Sequence, residues 1–228
     1  MQKYPLHTIS LNQDIYPKYL KQIYDPPAIL YCRGNLSLLQ KQSLAIVGSR
    51  HHSSNAKNII QKLIPKLTKY LIIISGLAIG IDSLAHEATL ENNGQTIAVL
   101  GGGIDNDSIY PKTNYNLAQN ILEQDGLLIS EYPQQTKIQP YHFPRRNRII
   151  AGLSLGVLVI EAKLPSGSLI TARHALEQNR EVMAIPGTIT SETSAGTNYL
   201  IKQGSHLITC SNDILEALNL TEIEKTVD

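Results

Sequence analysis

Short, continuously apolar runs alternate with longer amphipathic stretches along most of this chain. Six runs, 44–48, 71–75, 96–100, 127–130, 157–161 and 182–185, are apolar over nearly every position, as strands buried on both faces are. Between them, 54–70, 82–92, 115–124 and 168–178 place apolar residues at helical spacing, each opened by a polar capping residue or a glycine-containing turn. This alternation predicts an α/β fold, an extended Rossmann-like domain whose doubly wound, mostly parallel sheet carries helices on both faces. Pro65 removes a hydrogen bond inside the first of these helices, so a kink or an early end is expected near 62–65.

The flanks are less regular. Residues 15–24 read as a short helix, Asp25-Pro26-Pro27 as a rigid turn and 29–32 as a short strand, so residues 1–42 are expected to form a flap on a main domain at 43–220. Late in the chain, 196–203 is predicted helical, 206–209 a short strand and 212–220 a helix capped by Asn212, with 221–228 a tail. Neither an N-terminal helical domain nor a C-terminal winged helix is expected.

Composition narrows the partners. Twenty basic against 19 acidic residues leave a formal charge of +1, so any affinity for nucleic acid has to come from local clustering. Cys32 and Cys210 form no metal or redox pair, which favours a reducing, cytoplasmic setting. The start of the chain has no signal-peptide design and no apolar run approaches a bilayer's thickness, so no membrane partner is expected. With no Trp and one Phe, stacking on a base would rest on Phe143 and some of the 11 Tyr.

The chemistry gathers where the strands end. In an open parallel sheet, ligands bind beyond the carboxyl ends of the strands. There stand Gly48-Ser49-Arg50, the turn from Gly76 to Gly80, Gly101-Gly102-Gly103, Ser166-Gly167-Ser168 and Pro186-Gly187-Thr188. Glycines at helix starts let phosphate groups approach free amides; they equally serve the tight turns that such connections require. Phe143-Pro144-Arg145-Arg146-Asn147-Arg148 adds three arginines, and Pro144 predicts that they sit in a helix's first turn. Cations are disfavoured there, so something anionic must compensate them, either bound phosphate or Glu131 and Glu161. Phe143 beside that charge suits a nucleobase, or a place in the core.

Enzyme readings fare worse. Gly48 lacks the following glycines of a dinucleotide fingerprint, and Gly101-Gly102-Gly103 has no Lys-Ser/Thr of a P-loop, so no cofactor is expected. His51-His52 finds no spaced partners for a metal, and His86 is assigned a structural role. The enzymatic alternative is nucleotide phosphoribohydrolase chemistry of the Lonely Guy type, with Glu131 and Glu161 stabilising an oxocarbenium-like state. Its PGGxGT signature is replaced here by Pro165-Ser166-Gly167-Ser168-Leu169-Ile170-Thr171, so no catalytic residue is expected.

Ala45-Ile46-Val47-Gly48-Ser49-Arg50, Ser75-Gly76-Leu77-Ala78, Gly80-Ile81-Asp82, Tyr110-Pro111, Ser130-Glu131-Tyr132-Pro133, Phe143-Pro144-Arg145-Arg146-Asn147-Arg148 and Ser166-Gly167-Ser168-Leu169-Ile170-Thr171-Ala172, in that order, resemble the DprA (DNA-processing protein A, or Smf) family over 16–209. The resemblance implies a non-enzymatic cytoplasmic protein of natural transformation that binds single-stranded DNA, protects it, helps load the RecA recombinase and forms a homodimer through segments after Pro186. It also implies a DNA contact at Arg50 and a base at Phe143. Ile79 and Pro140 stand where many members carry a basic residue, which implies a thinner basic groove.

Overall fold

The computed structural model describes residues 4–220; the tail read at 221–228 lies outside them. Nine strands form one sheet in the order β1-β2-β6-β5-β4-β3-β7-β8-β9. The strands are β1 (Leu6–Ser10), β2 (Ile29–Gly34), β3 (Ser43–Val47), β4 (Ile72–Ser75), β5 (Thr96–Leu100), β6 (Leu127–Ser130), β7 (Gly156–Val159), β8 (Glu181–Ala184) and β9 (His206–Leu207). From β6 to β9 every neighbouring pair is parallel, whereas β1 pairs antiparallel with β2 and β2 antiparallel with β6. The helices are α1 (Lys18–Lys21), α2 (Ser54–Leu67), α3 (Ile81–Glu91), α4 (Tyr115–Glu123), α5 (His142–Leu153), α6 (Gly167–Glu177), α7 (Glu192–Lys202) and α8 (Ser211–Ala217).

Strand residues alternate between two cores, as the two-residue period of a pleated strand requires. Ala45, Val47, Val157 and Val159 pack with Ile149 and Ile150 of α5, Ala172 of α6 and Leu200 of α7. Leu44, Ile46 and Leu158 face the other way, against Ile60 and Leu63 of α2, Ala85 of α3 and Ile214 of α8. Both sets are buried, which is why the sequence shows apolar runs rather than alternation. The predicted α/β class and mostly parallel, doubly wound sheet are borne out.

Several local readings need correction. Strand β1 was not foreseen: only Ile9 of its five residues is buried, so an edge strand of this kind has almost no apolar signature. The expected helix at 15–24 reduces to the single turn of α1. Helix α2 runs through Pro65 to Leu67 without ending at 62–65. Gln61, whose carbonyl loses its partner, and Pro65 both lie on the exposed face, so the lost bond leaves no polar group buried. Helix α8 opens at Ser211, not at Asn212; Asp213 accepts the Thr209 and Cys210 amides at 2.6 and 3.0 Å, while Asn212 accepts from Lys66.

The chain runs β3-β4-β5-β6 to one side and then returns to lay β7, β8 and β9 on the other side of β3. The connections leaving β3 and β7 therefore diverge, and the crevice between them is the sheet's topological switch point.

Candidate functional site

A groove of about 880 Å³ opens at that switch point. One wall is the β3–α2 connection with Gly48, Ser49 and Arg50; the opposite wall is the start of α6 with Ser166, Gly167 and Ser168. Phe143, Arg146 and Asn147 of α5 form part of its lining, with Tyr110, Pro140 and Lys163.

Glu161, just beyond β7, fixes the first wall at both ends. Its backbone carbonyl accepts the Ser49 amide at 2.8 Å, and its carboxylate accepts the Ser53 amide at 2.9 Å and the Ser53 hydroxyl at 2.5 Å. Between those anchors Ser49 Oγ donates to the His51 carbonyl at 2.8 Å, and Arg50 stands exposed. Gly80, at φ +86°, lets α3 abut this connection: a Cβ there would lie 2.4 Å from the Ser49 carbonyl oxygen.

The glycines divide by what covers them. A Cβ on Gly76 would lie 2.5–2.7 Å from three guanidinium atoms of Arg146, and one on Gly101 would lie 2.9 Å from the Phe143 ring. Gly48 is closed by Ile81 and the Glu161 carbonyl, whereas Gly167 has nothing within 4 Å. Thus the loops after β4 and β5 are seats for two side chains of α5, and the start of α6 is the place where backbone lies open. Ser166, at the N-cap of α6, makes no capping bond, so that first turn offers free amides and the positive end of the helix dipole to the groove.

The three arginines separate as sharply. Arg146 is 4% exposed; it donates to the Gly76 carbonyl at 2.7 Å, to the Val99 carbonyl, and through Nε to Asn147 at 3.2 Å. Burial draws its pKa down to about 10, against the favourable field of Asp82 and with a further downward push from Arg50. Asp82 accepts the Gly76 amide at 3.0 Å, and its burial pushes its carboxyl upward despite Arg146. Arg148 points away from the groove and bonds Glu131 at 2.5 and 3.1 Å and Asp25 at 3.2 Å. Arg145 is half exposed, 3.6 Å from Glu131. The expected first-turn position holds for Arg145 alone: α5 begins at His142, whose ring bonds the Gly101 carbonyl at 3.0 Å, so Arg145 closes the first turn and Arg146 and Arg148 lie in the second.

Arg50 and Phe143 meet across the groove. The guanidinium carbon lies 5.7 Å from the ring centroid, within cation–π range. Tyr110 approaches the same ring, centroids 5.7 Å apart and planes at 45°.

A family model described as DNA recombination-mediator protein A matches residues 7–219. The chain belongs to that family. It is 47% identical over 214 residues to DNA processing protein DprA of Streptococcus pneumoniae, covering 94% of this chain and 74% of that one. The X-ray structure of the S. pneumoniae protein aligns with a TM-score of 0.87. A structure of DNA processing protein A from Helicobacter pylori, described for its single-stranded DNA binding mode, aligns with a TM-score of 0.83 at 31% identity, covering 95% of this chain and 97% of that one. The molybdenum cofactor carrier protein of Chlamydomonas reinhardtii, 14% identical with a TM-score of 0.52, shares the Rossmann-like fold alone.

In this member of the DNA recombination-mediator protein A family, the groove gathers Gly48, Ser49, Arg50, Phe143, Arg146, Asn147, Ser166, Gly167 and Ser168 of the residues singled out from sequence. Gly76, Arg145 and Arg148 do not line it. Tyr110 and Lys163 do, and neither was named as a site residue: Tyr110 entered only through the Tyr110-Pro111 match, with no charge or glycine beside it to mark a ligand, and Lys163 follows β7 with no clustering to mark it. Pro140 sits in the lining and Ile79 does not, so of the two missing basic positions the first bears on the groove. Among the described residues no group of His, Cys, Asp and Glu could hold a metal, and no helix is long and apolar enough to cross a membrane.

Proposed function

We propose that the groove binds single-stranded DNA, with phosphates held by Gly48–Arg50 and by the Ser166–Ser168 turn and a base at Phe143. The observation that carries this reading is the pairing of an exposed, anchored arginine with an uncapped helix start across one groove, with an aromatic ring between them. Free amides and a guanidinium suit phosphate oxygens, and the ring suits a π-face that every base possesses. The H. pylori relative, described for its single-stranded DNA binding mode, supports single-stranded DNA as the ligand.

The protein works by binding, without turnover. Both carboxylates of the phosphoribohydrolase alternative are engaged elsewhere, Glu161 with Ser53 and Glu131 with Arg148 and Arg145. Neither lines the main groove. In the wider reading this is a cytoplasmic protein of natural transformation whose 43–220 domain shields incoming strands and hands them to the RecA recombinase. It acts as a homodimer through the segments after Pro186, where Ile189, Tyr199 and Leu207 are exposed apolar surface.

The test is equilibrium binding of labelled single- and double-stranded oligonucleotides from low to physiological salt. Preference for the single strand, with log affinity falling linearly against log salt, is expected. Equal affinity for a duplex, or none for either strand form at low salt, would overturn the reading. Release of free base from nucleoside monophosphates would restore the enzyme.

A further inference from the structure

Within the reading of the groove as a single-strand site, we propose that Tyr110 is a second stacking residue, so that the groove holds two neighbouring unpaired bases rather than one. Tyr110 is the one tyrosine in the groove lining among the described residues, and it is 53% exposed. Phe143 is its one ring partner there. The other aromatic residues near α5 are used differently: Tyr132 stacks on His142 with centroids 4.1 Å apart, and Tyr141 meets the same imidazole edge-on.

The geometry decides how two rings would be used. A base inserted between two rings needs them about 7 Å apart, twice a carbon–carbon contact distance. Tyr110 and Phe143 are 5.7 Å apart and tilted by 45°, so no base fits between them. Each ring can instead take a base on its groove-facing side. Bases lying flat on rings whose planes are tilted by 45° cannot lie parallel to each other, so they are unstacked from one another. A single strand allows that and a duplex does not, so the pair of rings also selects for strand form.

The experiment measures affinity for a labelled oligo-dT strand with Tyr110→Leu, Tyr110→Phe, Phe143→Leu and the Tyr110→Leu/Phe143→Leu double variant, each with unchanged thermal unfolding. Tyr110→Phe is expected to bind within twofold of the native chain. Tyr110→Leu, which keeps bulk and loses the π-face, is expected to bind about fivefold or more weakly. The decisive comparison is the double variant: Tyr110→Leu still weakens binding when Phe143 is already Leu. If that loss vanishes, Tyr110 only buttresses Phe143 and the inference falls. No loss with Tyr110→Leu overturns it too, and a loss with Tyr110→Phe assigns the contact to the hydroxyl and overturns it equally. Loss of binding with Arg50→Ala but not with Tyr110→Leu leaves the single-strand reading standing without this addition; a native chain that binds no strand removes both.

Discussion

Arg50 and Arg146 are both within reach of the groove, and burial gives them opposite work. Arg146 satisfies two carbonyls of the strand ends and offsets the field of Asp82. Arg146→Ala is expected to cost about 3 kcal/mol or more of stability, because it leaves buried carbonyls and a buried carboxyl uncompensated; urea denaturation measures it. Residue types announced the arginine cluster in the sequence, and two compensating partners stood open for it. Arg148 resolves onto Glu131 and Asp25, and Arg146 onto backbone, because local sequence gives no distance to either. Gly76 was legible as a glycine that something must approach closely. That something is a guanidinium of this chain, a contact 70 residues away in sequence.

The elements were legible where both faces are buried. The six parallel-sheet strands and their helices follow from apolar runs, whereas β1 is half-exposed and α5 starts before its proline because His142 is held by the β5 loop. One contact between elements carries a pH prediction. On α3, His86 is fully buried, and its Nδ1 lies 2.7 Å from Thr96 Oγ1 of β5. The Thr96 hydroxyl already donates to the Ile73 carbonyl at 2.7 Å, so Nδ1 is the donor and Nε2 stays unprotonated and without a partner. Burial, then the charge of Arg146, draws the histidine down to about 3. The unfolded chain protonates it near 6.5 while the folded chain refuses the proton, so stability falls as pH drops from about 6.5 toward 3. His86→Asn keeps a donor for Thr96 and is expected to flatten that part of the stability profile, read as denaturation midpoints at pH 7 and pH 4.5. An unchanged slope would show that His86 does not set it.

At the scale of the whole molecule, the switch point between β3 and β7 is what assembles the site. Residues from 48 to 168 meet there because two sets of connections part at one crevice. The sequence pattern announced the parallel sheet, and with it the edge where ligands collect. It could not announce the strand order, on which the meeting of Arg50, Phe143 and Gly167 depends, because order is set by packing between elements rather than within them. Near-neutral charge overall leaves one exposed, anchored arginine and Lys163 as the groove's outward cations, and Lys163 is 2.6 Å from the exposed Glu192. The central claim therefore concentrates on Arg50. The measurement is single-strand affinity across a salt series for the native chain and for Arg50→Ala. Arg50→Ala is expected to unfold within about 0.5 kcal/mol of the native chain, to bind about tenfold or more weakly, and to show a log–log salt slope shallower by about one unit. An Arg50→Ala chain that stays folded and keeps both its affinity and its salt slope would contradict the account.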